Sequence, residues 1–125
     1  MRVYNYMASG LALSGIVAFA LFNFEGMLRQ AMKESAMDRQ AFEETLKREG
    51  YDEISTKTTP GDKHNPEHSH PYDVCAMVID GTITLNSGDQ TRTYVAGEVF
   101  NMARGCPHTE TYGPLGATTL SGRKR

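Results

Sequence analysis

Gly61-Asp-Lys-His-Asn-Pro-Glu-His-Ser-His-Pro-Tyr-Asp-Val-Cys-Ala-Met-Val-Ile-Asp-Gly81 is the stretch on which the reading of this chain turns. It holds His64, His68 and His70, three of the four histidines in the sequence. Alternate side chains of a strand share a face, so a strand over His68-Ser-His70 sets two imidazoles side by side. Neutral imidazole binds zinc, iron, copper and nickel, which makes the pair half of a metal site. Val74 to Asp80 is an apolar run of strand length, and Asp80-Gly81 reads as a turn. His64 lies in the loop that holds Pro66 and reads either as a surface residue or as one lining the mouth of whatever the strands enclose.

Working outward, short strands and turns follow one another. Thr82 to Asn86 alternates, with Ile83 and Leu85 on one face. Ser87-Gly88-Asp89 turns the chain and Thr91 to Val95 returns. After Ala96-Gly97 comes a strand over Glu98 to Met102, then a tight loop at Arg104-Gly105-Cys106-Pro107. His108 to Tyr112 is a strand carrying the fourth histidine, Gly113-Pro114 reads as a turn, and Ala117 to Ser121 is the last strand. Upstream, Tyr51 to Thr59 reads as a strand broken by Pro60-Gly61. Many short, evenly spaced strands predict an antiparallel sandwich or barrel. Before them, Asp38 can cap a helix and Gly50 can end it. Ala41, Phe42 and Leu46 share one face of that helix, and Glu43 and Lys47 are spaced to pair. Glu25 to Met37 is helix-compatible, with an incomplete apolar stripe of Met27, Leu28, Ala31 and Met32.

A chain of 125 residues is one domain with room for an appendage. A formal net charge of -2 gives no electrostatic case for nucleic acid, and no helix-turn-helix is present. Arg123, Lys124 and Arg125 read as a solvated end. Cys75 and Cys106 form neither a disulfide framework nor a zinc knuckle, which fits a reduced compartment. Val3 to Phe24 has no charged residue. Three readings of it stand open: a membrane anchor or signal segment, with Arg2 ahead and Ala18-Phe-Ala20 as a cleavage site; a helix packed on the domain or on a dimer partner; or a start placed too early, with Met27, Met32 and Met37 as alternatives. The expected division is therefore residues 1–36 as an apolar leader and residues 37–125 as a domain complete in itself. That domain is expected in the cytoplasm, and at a membrane or exported only if residues 1–24 are a true targeting segment.

The chain resembles a small single-domain cupin. The family's first motif runs Gly, five residues, His-x-His, three or four residues, Glu, six residues, Gly. Here Gly61 precedes His68 by one residue more than usual, Ser69 separates His68 from His70, and Gly81 closes the motif. The second motif runs Gly, five residues, Pro-x-Gly, two residues, His, three residues, Asn. Gly97, Gly105 and His108 keep that spacing, with Ala103 at the Pro position and Tyr112 at the Asn position. The likeness covers about Tyr51 to Gly122. It implies an all-β jelly-roll barrel with an N-terminal helical extension, and a homodimer paired through sheet edges.

The resemblance carries His68, His70 and His108 over as metal ligands. The family's Glu is replaced by Val74, which cannot bind metal, and strand parity points Asp73 and Cys75 the other way. A three-His set with open positions suits a divalent ion: Fe(II), Zn, Ni, Mn or Cu. Glu110 lies two residues after His108 on the same strand face, and is the candidate fourth ligand or general base. Tyr72, Tyr94 and Tyr112 either line the pocket or fill the core, and Arg104 either binds an anionic substrate or is solvated. Cys106 reads as a turn-packed thiol. Gly81, Gly97 and Gly105 serve turns rather than phosphate binding, since no helix follows them. Fold does not fix function. The resemblance leaves two classes: a metal-dependent enzyme on a small molecule, dioxygenase- or isomerase-like, and a non-catalytic barrel that binds or senses a small ligand.

Overall fold

The computed structural model of the chain describes residues 16–125, and the side chains of 23–33 and 38–125. The leader over Val3 to Phe24 therefore falls largely outside the described residues. Contacts divide the chain into Met1–Ala36 and Met37–Arg125. Helix α1 spans Ile16–Arg48. It is one helix where the sequence suggests a start at Asp38. The helix-compatible stretch before Asp38 has no Gly or Pro after Gly26 to stop it, so Asp38 sits inside the helix rather than capping it. Phe24, Met27, Leu28 and Met32 are more than half exposed on its first part. Among the described residues no helix is long and apolar enough to cross a membrane.

The end of α1 is where the sequence places it. The Gly50 amide donates to the Lys47 carbonyl and the Tyr51 amide to the Leu46 carbonyl, with Gly50 at φ 90°. That pair of bonds is a Schellman motif, which needs a left-handed residue and so favours glycine. Leu46 is 1% exposed, and it closes with Tyr51 over Gly122. Glu43 and Lys47 pair at 3.3 Å. Leu46→Ala removes a fully buried side chain and is expected to cost about 2–5 kcal/mol by urea denaturation. A cost near zero would mean that the helix end does not close the barrel.

The strands are β1 (Glu53–Thr59), β2 (His64–His68), β3 (Asp73–Ser87), β4 (Gln90–Val95), β5 (Val99–Met102) and β6 (His108–Lys124), all antiparallel. Two predicted turns are not turns. Asp80-Gly81 and Gly113-Pro114 lie inside β3 and β6, long strands paired with each other, and the β3–β6 register shifts around Gly81. A bulge of this kind bends a strand without ending it. The bend lets each long strand serve two layers. The first half of β3 pairs with β5, and the second half of β6 pairs with β1. The second half of β3 pairs with β4, and the first half of β6 pairs with β2. Both layers feed one core of Ala76, Val78, Ile83, Leu85, Phe100 and Tyr112, with Met102 and Ala117 beside them. The basic end is also ordered. Arg123 and Lys124 belong to β6, and Lys124 donates to the Glu49 carbonyl.

Candidate metal centre

The pairing of β2 with β6 sets His68 directly opposite His108. His70 lies two residues past the end of β2, outside the strand in which the sequence placed it. It is held there by the Gly105 amide, which donates to its carbonyl at 2.8 Å. The ring centroids of His68, His70 and His108 are 4.4–5.3 Å apart. Glu110 completes the group, and one ligand atom from each of the four residues lies within 4.8 Å of the others.

The hydrogen bonds decide which atoms face the centre. His68 Nδ1 lies 2.7 Å from the Pro66 carbonyl, and His108 Nδ1 lies 3.0 Å from the Cys106 carbonyl. A carbonyl only accepts, so both rings donate from Nδ1 and turn Nε2 inward. Those two Nε2 atoms lie 3.4 and 3.2 Å from the same atom, Glu110 Oε2. Two imidazole nitrogens and a carboxylate oxygen this close cannot all meet as bare acceptors, so a cation belongs among them, a shared proton in the metal-free chain or a metal ion in its place. Donors about 2.0–2.1 Å from one tetrahedral ion lie roughly 3.3 Å from each other, which these separations match. The donor set fits a divalent ion.

Glu110 is fixed on its far side. Its Oε1 accepts from Asn65 Nδ2 at 2.7 Å and from the Tyr112 hydroxyl at 3.1 Å, which leaves Oε2 to the histidines. Burial, the largest influence, pushes its carboxyl up. The hydrogen bonds from Asn65 and Tyr112, the nearby His68 and the His108 bond together outweigh it, and the group ends below its ordinary 4.5. Burial and the Glu110 charge push the Tyr112 phenol up to about 12. Burial lowers the His70 value, and so do the neighbouring His68 and His108, which favours neutral imidazole.

A depressed carboxyl contributes stability above its unfolded value and loses it as pH falls through the folded one. In metal-free protein, the urea-midpoint advantage of wild type over Glu110→Gln should thus hold at pH 7 and shrink below about pH 4.5. A gap unchanged to pH 3 would contradict the network.

The remaining candidates separate. Tyr72 stacks on His70 at 5.1 Å, and it lines a cavity of about 120 Å³ with His70, Glu110 and Tyr112. Arg104 is drawn away from that cavity, because its amide and guanidinium both bind Asp73, at 2.8 and 3.7 Å. The Arg104 amide bond, the largest influence, holds the Asp73 carboxyl below its usual range against desolvation, with the Arg104 charge adding to it. Val74 faces the cavity, and Asp73 meets Arg104 outside it. His64 is exposed and bonds Thr111 at 2.9 Å. Cys75 and Cys106 are free thiols. Sequence reasoning missed Lys57 and Arg123, which line the same cavity. Arg123 looked like part of a solvated tail, and only the β1–β6 register gives the face of Lys57.

Residues 56–111 match the family model described as cupin domain. No curated protein matches the chain. A structure of unknown function from Rhizobium leguminosarum matches with a TM-score of 0.54 and 20% identity, over 57% of this chain and 67% of that one. A cupin superfamily protein from Desulfitobacterium hafniense matches with a TM-score of 0.51 and 16% identity, over 58% and 66%. The DMSP lyase DddQ from Ruegeria pomeroyi matches with a TM-score of 0.53 and 18% identity, over 58% of this chain but only 37% of the lyase. At such identities the likeness is one of fold.

Proposed function

We propose that this chain, a small cupin-domain protein, holds one divalent metal ion through His68, His70, His108 and Glu110 and uses it on a small molecule inside the barrel. One observation carries the reading: the Nε2 atoms of His68 and His108 converge on a single Glu110 oxygen, with both Nδ1 protons committed to backbone carbonyls. A bound Fe, Zn, Ni, Mn or Cu ion would supply Lewis-acid or redox chemistry toward an oxygen of the small molecule.

The protein's own residues set the rest. Glu110 is better suited as ligand than as general base, since a carboxyl held below 4.5 is a weak proton acceptor near neutrality. Tyr112 keeps its proton and anchors Glu110. Val74, at the family's usual carboxylate position, gives the cavity an apolar wall, and Glu110 supplies the carboxylate from the other strand. The working domain is residues 37–125, and pairing through the outer edges of β1 or β4 would cover strands that otherwise end the sheet.

The test is metal content. The full chain, purified without a His tag and reconstituted with each candidate ion in turn, should retain about one ion per chain through desalting. Retention of no ion would overturn the reading, and the barrel would then be a non-catalytic ligand-binding domain.

A further inference from the structure

Two exposed cations stand at the rim of one cavity, and among the described residues neither is paired with a carboxylate. Lys57 on β1 and Arg123 on β6 line the cavity that reaches His70 and Glu110. Among the described residues neither forms an ion pair, whereas Arg92, Arg104 and Arg125 have Glu98, Asp73 and Glu53. The register places them on one face. Lys57 stands opposite Thr119, and Thr119, Ser121 and Arg123 alternate along β6 on the side that lines the cavity. The Arg123 guanidinium lies 4.6 Å over the Tyr72 ring, which itself stacks on His70 at 5.1 Å. Stacking orients the guanidinium plane and leaves its N–H edge to bind. Val74, Ala76 and Phe100 give the same cavity an apolar wall.

We propose that the ligand of this site is a small carboxylate, held by Arg123 and Lys57 at its charged end and reaching His70 and Glu110 with its other end. The proposal rests on the metal reading for that second end alone. A planar carboxylate matches the guanidinium fork two bonds at a time. Size selects the class further. A cavity of about 120 Å³ holds roughly four waters' worth of volume, enough for a carboxylate on a short carbon body.

The experiment is calorimetric titration of the full chain, with and without reconstituted Zn, using acetate, propanoate and lactate, each against its uncharged amide. At least one acid should bind about tenfold or more tightly than its amide. Arg123→Gln should abolish that preference, Arg123→Lys should keep part of it, and Lys57→Gln should weaken it, all with unchanged metal content and unfolding temperature. Equal binding of acids and amides, no binding of any acid, or a preference that survives in both Arg123→Gln and Lys57→Gln would overturn the proposal. If Arg123→Gln does not fold, Lys57→Gln and Arg123→Lys decide it, and full preference in both overturns it. A preference dependent on Arg123 in a chain that retains no metal supports the anion site and overturns the metal reading. Metal retention without any preference does the reverse.

Discussion

His108→Ala is expected to lower the affinity for a divalent ion by on the order of 100-fold or more, a larger loss than either other histidine gives. The reason is confinement. His108 is 3% exposed, and its ring is held at both ends, by the Cys106 carbonyl on Nδ1 and by Glu110 on Nε2. His68 is pinned on Nδ1 in the same way but is more open to solvent. His70 is positioned through its backbone and through its stack on Tyr72, so its ring gives the site the least preorganisation. The expected order of loss is therefore His108, then His68, then His70. Glu110→Gln should cost about 10–100-fold, because the amide nitrogen turned to the centre offers a metal ion neither a lone pair nor a negative charge, while Asn65 and Tyr112 still hold the side chain. Competition against a chromophoric chelator measures all four. Equal, small losses across the series would mean that the cluster is a packed polar core rather than a centre.

Gly81→Ala should be the most damaging substitution of a single atom group in the barrel. Gly81 has φ 79°, and a Cβ there would overlap the Gly116 carbonyl. Gly116 has φ 74° and approaches the Thr59 carbonyl equally closely. Neither contact can relax by rotating a side chain, since backbone meets backbone. The left-handed conformation alone costs a non-glycine residue about 1–2 kcal/mol. With the overlap added, the loss should exceed about 4 kcal/mol, enough to unfold a marginal domain. Gly88 supplies the control, because it has φ 64° and nothing near the added carbon. Gly88→Ala should lose only the conformational part, about 1–2 kcal/mol. Urea denaturation of both variants separates the terms, and equal losses would place the whole effect in φ.

The same glycine shows how far a sequence can be read. Asp80-Gly81 and Gly113-Pro114 carry turn composition, and turn residues signal positive φ or a break without saying which. Whether the chain reverses or merely bends depends on the pairing across to the other strand, which is not local. The two-layer architecture was legible because alternation at Ile83 and Leu85 and the spacing of the glycines are local facts. The three histidines were legible for the same reason, and Glu110 followed from strand parity with His108. Parity also predicted that Val74, and not Asp73, would face inward.

What remained hidden lies in long-range register. Nothing near His68 states that it will stand opposite His108, or that Asn65 will anchor Glu110. Arg104 looked like a free cation because Asp73 is 31 residues away and on another strand. Arg123 looked like tail because a basic C-terminus usually is one. Its place over Tyr72 comes from β6 continuing to Lys124. The helix start was misread for a local reason: Asp38 is a good cap, but helix formers on both sides of it leave nothing to terminate.

X-ray absorption on the full chain loaded with one equivalent of Co(II) reads the donor atoms of the metal centre themselves. His68, His70, His108 and Glu110 should give a first shell of nitrogen and oxygen at about 2.0–2.2 Å, with the outer-shell scattering of three imidazoles. His108→Ala should reduce the imidazole count. A first shell of oxygen alone, or an imidazole signal unchanged in that variant, would place the metal away from the three histidines.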